Sequence, residues 1–188
     1  MRSIFIPLAV IVLAVSYNTK NAKAEDPTTT GSIAGSSSGT STGTSTGLPI
    51  PRFVSLKPSD TPMREGPSKD NAVKWIFKRE GLPVEITAEF DNWRRIRDAE
   101  GVEGWVFHTR LSGKRNVMVM SMPAQKAEPI RLHSSPTETS HVPAKLQPGV
   151  IAMLDNCNKN WCKIKGEDFN GYIKQDRLWG VYALEMVK

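Results

Sequence analysis

Long apolar runs, metal-ligand clusters and uninterrupted helix-forming stretches are what this sequence has least of. The one sustained apolar run, Ile4 to Val15, is 12 residues long, well short of the ~20 that a membrane-spanning helix requires. The chain has 2 cysteines and 3 histidines. Cys157 and Cys162 stand in a C-x4-C spacing with no second pair and no nearby His to complete a zinc site. His108, His133 and His141 belong to no recognisable catalytic motif. The glycine-rich stretch is interleaved with Ser and Thr, has no strand before it and no Lys closing it, so it is not a phosphate loop. These absences predict a protein without enzyme activity, metal or cofactor. The 13 prolines and 14 glycines, spread between short apolar runs, exclude a bundle of long helices.

What is present begins with an export signal. Arg2 supplies charge, the apolar run follows, and a polar stretch ends in Ala22-Lys23-Ala24, an A-x-A cleavage pattern. The reading is a signal peptide over residues 1–24 and a mature chain from Glu25, against the alternative of an uncleaved anchor. No Cys near the cleavage point supports a lipid anchor. Cleavage would remove Arg2, Lys20 and Lys23 and leave 22 basic against 19 acidic residues, a net charge of +3 instead of +6. That modest charge in an exported chain argues against a nucleic-acid partner. Export also favours oxidation, so Cys157 and Cys162 are expected to form a disulfide. From Thr28 to Gly47, 18 of 20 residues are Gly, Ser or Thr, a composition that cannot bury enough apolar surface to order itself. Residues 25–50 are therefore expected to be a disordered linker.

The remainder contains an internal repeat. Gly81-Leu82-Pro83-Val84-Glu85-Ile86 aligns with Gly149-Val150-Ile151-Ala152-Met153-Leu154, and the same shift sets Asn92-Trp93 on Asn160-Trp161 and Ile96 on Ile164. One deletion later, Gly104-Trp105-Val106 meets Gly171-Tyr172-Ile173 and Leu111-Ser112-Gly113 meets Leu178-Trp179-Gly180. Upstream, Met63-Arg64 pairs with Ile130-Arg131. A shared unit of about 65 residues accounts for both halves. Within it, Val84, Ile86, Ala88 and Phe90 alternate with Glu85, Thr87 and Glu89, the period-two pattern of a half-buried strand. Asp91-Asn92 then reads as a turn, Trp93 to Arg97 as the hairpin partner, and Gly104 to His108 as the next strand. Some five strands in so short a unit predict a small, closed or partly open barrel.

Arg64-Glu65-Gly66-Pro67-Ser68, the Gly-Leu-Pro-Val strand start, Trp93 with Ile96 three residues on, and Gly104-Trp105-Val106 resemble the bacterial SH3-like (SH3b) domain. The second copy repeats the likeness in Trp161-Cys162-Lys163-Ile164 and Gly171-Tyr172-Ile173, with Tyr172 where Trp is usual and no Gly-Pro after Arg131. Together the copies resemble exported tandem SH3-like proteins of alphaproteobacteria. The resemblance implies an all-β protein of two SH3-like barrels, residues 51–116 and 117–188. It also implies targeting to the cell wall or contacts with other proteins.

Large aromatics beside loops are candidates for a ligand surface, because Trp and Tyr combine stacking area with a hydrogen-bond donor. Trp93 and Trp161 lead, with Arg95, Trp105 and Tyr172, against the alternative that such rings cap the barrel ends or pack the two units together. Arg94, Arg95 and Arg97, with Lys74, Lys78, Arg79, Lys163 and Lys165, either attract an anionic partner such as peptidoglycan stem peptides or defend a solvated strand edge. Glu89 and Arg94 occupy the positions of the two cysteines, either as a cross-strand ion pair in place of the bridge or as two unrelated surface charges. The function expected is a periplasmic or secreted adaptor for peptidoglycan or an envelope protein, with no membrane contact after cleavage. The rival is a secreted factor that binds a host or competitor protein. The sequence leaves oligomeric state open.

Overall fold

The computed structural model describes residues 41–121 and 128–188. The signal peptide, its cleavage site and residues 25–40 of the expected linker lie outside the described residues. Everything described falls within one compact unit, Ser38–Lys188. Among the described residues there is no α-helix, only antiparallel strands and two short 3-10 turns.

A first hairpin joins β1 (Ser41–Thr42) to β2 (Pro49–Ile50). This corrects the expectation that residues 41–50 are disordered. Low hydrophobicity does predict disorder for such a segment, but here order comes from a buried carboxylate rather than from apolar burial. The Glu89 side chain is fully shielded from solvent. It accepts hydrogen bonds from the Ser45 N–H at 3.1 Å, the Thr46 N–H at 2.9 Å and the Thr46 hydroxyl at 2.7 Å. Gly43 is required beside it, because a Cβ there would stand 2.3 Å from the Glu89 carboxyl carbon.

The first unit continues with β3 (Arg52–Leu56), β4 (Thr61–Arg64), β5 (Val73–Phe77), β6 (Pro83–Phe90), β7 (Trp93–Arg97), β8 (Glu103–Phe107), a 3-10 turn at His108–Arg110, and β9 (Leu111–Ser112). The sheet order is β5-β4-β8-β7-β6-β3-β9. Its core includes Leu56, Met63, Val84, Ile86, Ile96 and Val106. The second unit has β10 (Asn116–Val119), β11 (Ile130–Leu132), β12 (Ala144–Leu146), β13 (Ile151–Asn158), β14 (Trp161–Lys165), β15 (Asn170–Lys174), a 3-10 turn at Gln175–Arg177, β16 (Leu178–Trp179) and β17 (Met186–Val187). Here β15-β14-β13-β10-β16 form the sheet and β17 adds to the end of β13. The short β11–β12 pair joins through a bridge between His133 and Tyr172. Asn116 already pairs within the second sheet, with Met153, rather than closing the first unit.

Strand β6 departs from simple alternation. Its register with β7 shifts between Ile86 and Ala88, and an extra residue in one strand reverses which side chains face inward beyond it. Val84 and Ile86 are therefore core, whereas Glu89 points inward and Phe90 is exposed. That reversal corrects the expectation that Ala88 and Phe90 continue the buried face. Strand β13 shifts at the equivalent place, between Leu154 and Asn156. The position of Glu89 is there filled by Cys157, which is bridged to Cys162 across paired β14. Opening a bridge that closes so short a loop costs about 2 kcal/mol by chain entropy. Replacing both cysteines by Ala is expected to lower stability by about that much, measured by urea unfolding, with β17 losing amide protection first. An unchanged midpoint would mean that packing alone holds this end.

The Glu89–Arg94 pair is present and in register, at 3.5 Å, but it is buried and secondary to Arg52, whose guanidinium lies 2.7 Å from the same carboxylate. Burial by itself would raise the Glu89 pKa. The hydrogen bonds from Arg52, Thr46 and Ser45, with the Arg94 charge, outweigh it and hold the carboxyl at about 2.

The two units share a packed seam. Phe53 of β3 meets the Trp179 ring edge-on at 5.0 Å and the Tyr182 ring at 4.7 Å, and the Trp179 indole donates to the Pro83 carbonyl at 3.0 Å. Glu85, 2% exposed, accepts from the Tyr182 hydroxyl at 3.0 Å and from Arg97 Nε at 2.9 Å. Burial, then the hydrogen bond to this carboxylate, pushes the Tyr182 pKa well up. Ser55 and Asn116 add backbone-directed hydrogen bonds across the same junction.

Candidate ligand groove

Most of the cations picked from the sequence already have partners within the chain. Arg97 pairs with Glu85, Lys78 with Asp60, Arg95 with Glu103 at 2.5 Å and Lys163 with Asp155 at 3.3 Å. Arg94 is buried and donates to the carbonyls of Asp91 and Trp93. Lys74 and Arg79 donate to the carbonyls of Glu103 and Gly149. Trp75, 59% exposed, lies on edge strand β5, where a register shift beside Lys74 interrupts pairing. That arrangement discourages addition of another strand.

The aromatics picked from the sequence share one face in each unit, because residues directly opposite across a ladder project to the same side. On β7–β8 the pairs are Trp93 with Phe107 and Arg95 with Trp105. On β14–β15 they are Trp161 with Lys174 and Lys163 with Tyr172. The two units differ in what their Trp meets. Trp93 is buried, edge-on to Phe107 at 5.4 Å. Trp161 is only half-buried; His133 approaches it edge-on at 5.1 Å and the Lys174 ammonium lies 5.9 Å from its ring centre, within cation–π range.

Trp161 divides two adjoining concavities. One, of about 360 Å³, is lined by Pro129, Ile130, Arg131, His133, Glu138 and Arg177 among others. The other, of about 550 Å³, extends to the C-terminal wall of Val181, Tyr182, Ala183 and Leu184. Lys174 and Glu138 border both and pair with each other. Lys174 holds the Glu138 carboxyl below its ordinary range, first through their hydrogen bond and then through charge. Arg131 is exposed and, among the described residues, has no carboxylate within ion-pair distance. The site can therefore stack an apolar or planar group on Trp161 and receive a carboxylate at Arg131, with Arg177 beside it in the same concavity and paired to Asp176 at 3.6 Å.

A smaller concavity of about 280 Å³ occupies the equivalent place on the first unit, lined by Pro62, Arg64, Lys69, Trp93, Phe107, Thr109 and Arg110. Applying the repeat shift, Pro62, Arg64, Trp93, Phe107 and Arg110 stand where Pro129, Arg131, Trp161, Lys174 and Arg177 stand in the second unit. Two copies of one groove on two copies of one fold identify the architecture, and a family model for the bacterial SH3 domain matches residues 57–113 and 126–180. The chain belongs to the bacterial SH3 domain family.

Both bacterial SH3 domains thus carry their groove between the β4–β5 or β11–β12 connection, the first Trp of β7 or β14, and the 3-10 turn. No curated protein matches the chain. Among solved structures, NlpC2 of Trichomonas vaginalis is similar at 12% identity and a TM-score of 0.30, over 69% of this chain and 48% of that one. NlpC1 of the same organism is similar at 13% identity and a TM-score of 0.29, over 68% and 45%. The chain spans just under half the length of either protein.

Of the residues picked from the sequence, Trp161 and Trp93 line these concavities and the cysteines form their bridge, whereas Arg95, Trp105 and Tyr172 line none of the three; Arg131, His133, Glu138, Lys174 and Arg177 were not picked. Arg131 and Arg177 repeat Arg64 and Arg110 at the spacing that revealed the two units, and that recurrence was the available signal.

Proposed function

We infer that this chain is an exported, non-catalytic binding module of the cell envelope, and that its groove at Trp161 holds peptidoglycan through the carboxylate-bearing stem peptides. The observation that carries the reading is the open Trp161 ring placed in one concavity with Arg131, Lys174 and Arg177. A half-buried aromatic flanked by cations offers stacking and carboxylate recognition together. Membership of the bacterial SH3 family supports attachment at the wall, and the Cys157–Cys162 bridge suits an oxidising compartment. Binding rather than reaction is favoured by the state of the reactive groups. Both sulfurs are tied in the bridge and cannot form a thiolate, and the groove's Glu138 is occupied by Lys174.

Retention of the purified protein on peptidoglycan sacculi tests this. Wild type is expected to be retained and to be released by added salt. Trp161→Ala is expected to lose about tenfold or more in affinity, on the order of 1.4 kcal/mol or above. Arg131→Gln, an exposed change that leaves the core untouched, is expected to show a smaller loss of the same kind. Wild type that fails to bind sacculi, or variants that bind like wild type with a native circular dichroism spectrum, would overturn the assignment.

A further inference from the structure

The groove of the first unit is not a weaker copy of the one at Trp161. Where the second unit has Lys174, the first has Phe107, which stacks edge-on against Trp93. The loop after β4 contributes Lys69 to the first groove, whereas the corresponding loop contributes Glu138 to the second. The Lys174–Glu138 ion pair of the second groove is therefore replaced by an aromatic wall and another cation. Arg64, Lys69 and Arg110 line one concavity, and no carboxylate is among its described lining residues. Lys69 and Arg110 are exposed and, among the described residues, have no ion-pair partner. Arg64 is positioned rather than free, since one of its terminal nitrogens donates to the Asn71 carbonyl at 2.7 Å.

We propose that the first unit carries a second, separate ligand site that selects a carboxylate borne on an apolar body, such as an acidic side chain of a peptide. Three cations converging on a cleft with a Pro62, Trp93 and Phe107 wall concentrate positive potential where bulk water is partly excluded. A guanidinium at Arg64 and another at Arg110 match the two oxygens of a carboxylate in a way a single ammonium does not. A neutral isostere of the same shape fills the same space but gains none of this. Together with the groove at Trp161, which this site does not depend on, it makes the chain bivalent, so a polymeric ligand can engage both grooves at once.

The test is an NMR titration of the whole protein, labelled with 15N, at low salt, using N-acetyl-Ala-Glu-amide and its Gln analogue as probes. The Trp93 indole and Thr109 amide signals report on the first groove, and the Trp161 indole reports on the second. The Glu peptide is expected to move the Trp93 and Thr109 signals with an affinity about tenfold higher than the Gln peptide, an advantage that falls as salt rises. The exposed double variant Lys69→Gln/Arg110→Gln is expected to lose that preference with the rest of the spectrum unchanged. Trp161→Ala is expected to leave it intact, which separates this site from the wall-binding reading. Equal titration by the two peptides, silent Trp93 and Thr109 signals, or a double variant that still prefers Glu overturns the proposal. So does loss of the first-groove response in Trp161→Ala.

Discussion

Replacing Glu89 by Gln is expected to destabilise the protein by about 3 kcal/mol or more and to release the hairpin of residues 41–50. The substitution keeps the shape but removes the carboxylate that, among the described residues, pairs with both Arg52 and Arg94, and breaking a buried pair on one side typically costs ~3–5 kcal/mol. The depressed pKa of the same carboxyl points to a similar magnitude. The Glu89 carboxyl ionises at about 2 in the fold against 4.5 unperturbed, and each pKa unit corresponds to about 1.4 kcal/mol. Because the folded pKa is depressed, the stabilisation is complete above pH about 4.5 and disappears as pH falls from there through about 2. Thermal melts of wild type and Glu89→Gln should therefore differ most near neutral pH and converge in acid. At neutral pH a loss of this size corresponds to a Tm lower by roughly 6–12 °C for a chain of this length. Amide exchange should show the Ser45 and Thr46 protons losing protection before the cores. A pH-independent difference would mean that Glu89 acts through packing rather than charge.

Truncating Trp179 to Ala is expected to cost on the order of 3–5 kcal/mol, as for other large aromatics removed from packed sites, and to uncouple the two units. The ring touches Phe53 edge-on and its indole is bonded to Pro83, so one residue of the second unit contributes both apolar contact and a hydrogen bond to the first. Calorimetry is then expected to resolve two transitions, against a single one expected for wild type. The first unit should melt earlier, since the second keeps its disulfide. A single, merely lowered transition would indicate that the Glu85–Tyr182–Arg97 network alone couples the units.

Much of the architecture was legible along the chain. The repeat, the hairpin turn at Asp91-Asn92, and the bridge between cysteines facing each other across β13 and β14 were all open to reading from the sequence. Trp161 was legible as a candidate because an aromatic after a turn sits at the mouth of a small barrel. The cations of β7 were legible as charge, open to reading as an anionic-partner surface or as a defended strand edge, but their partners were not. Arg94 and Arg97 looked like free charge, yet their carboxylate partners Glu89 and Glu85 lie on the neighbouring strand and face inward. The ordered hairpin at residues 41–50 was invisible for a related reason. Nothing in a Gly-Ser-Thr composition shows that its backbone N–H groups will meet a carboxylate 43 and 44 residues away.

By itself the sequence determined the all-β class, the duplication, the strand periods and the cysteine pairing, because each is written in residues that are near neighbours in the chain or repeat at fixed spacing. The tertiary structure alone decided which face Glu89 turns to, how the two units lock through Phe53, Trp179 and Tyr182, and that Phe107 and Lys174 line two equivalent grooves differently. Those outcomes depend on a register shift within β6 and on contacts between residues as far as 97 positions apart, such as Glu85 and Tyr182. A bulge reverses every side chain beyond it, and a buried charge takes its worth from the partners that surround it, so neither can be evaluated until the chain is folded.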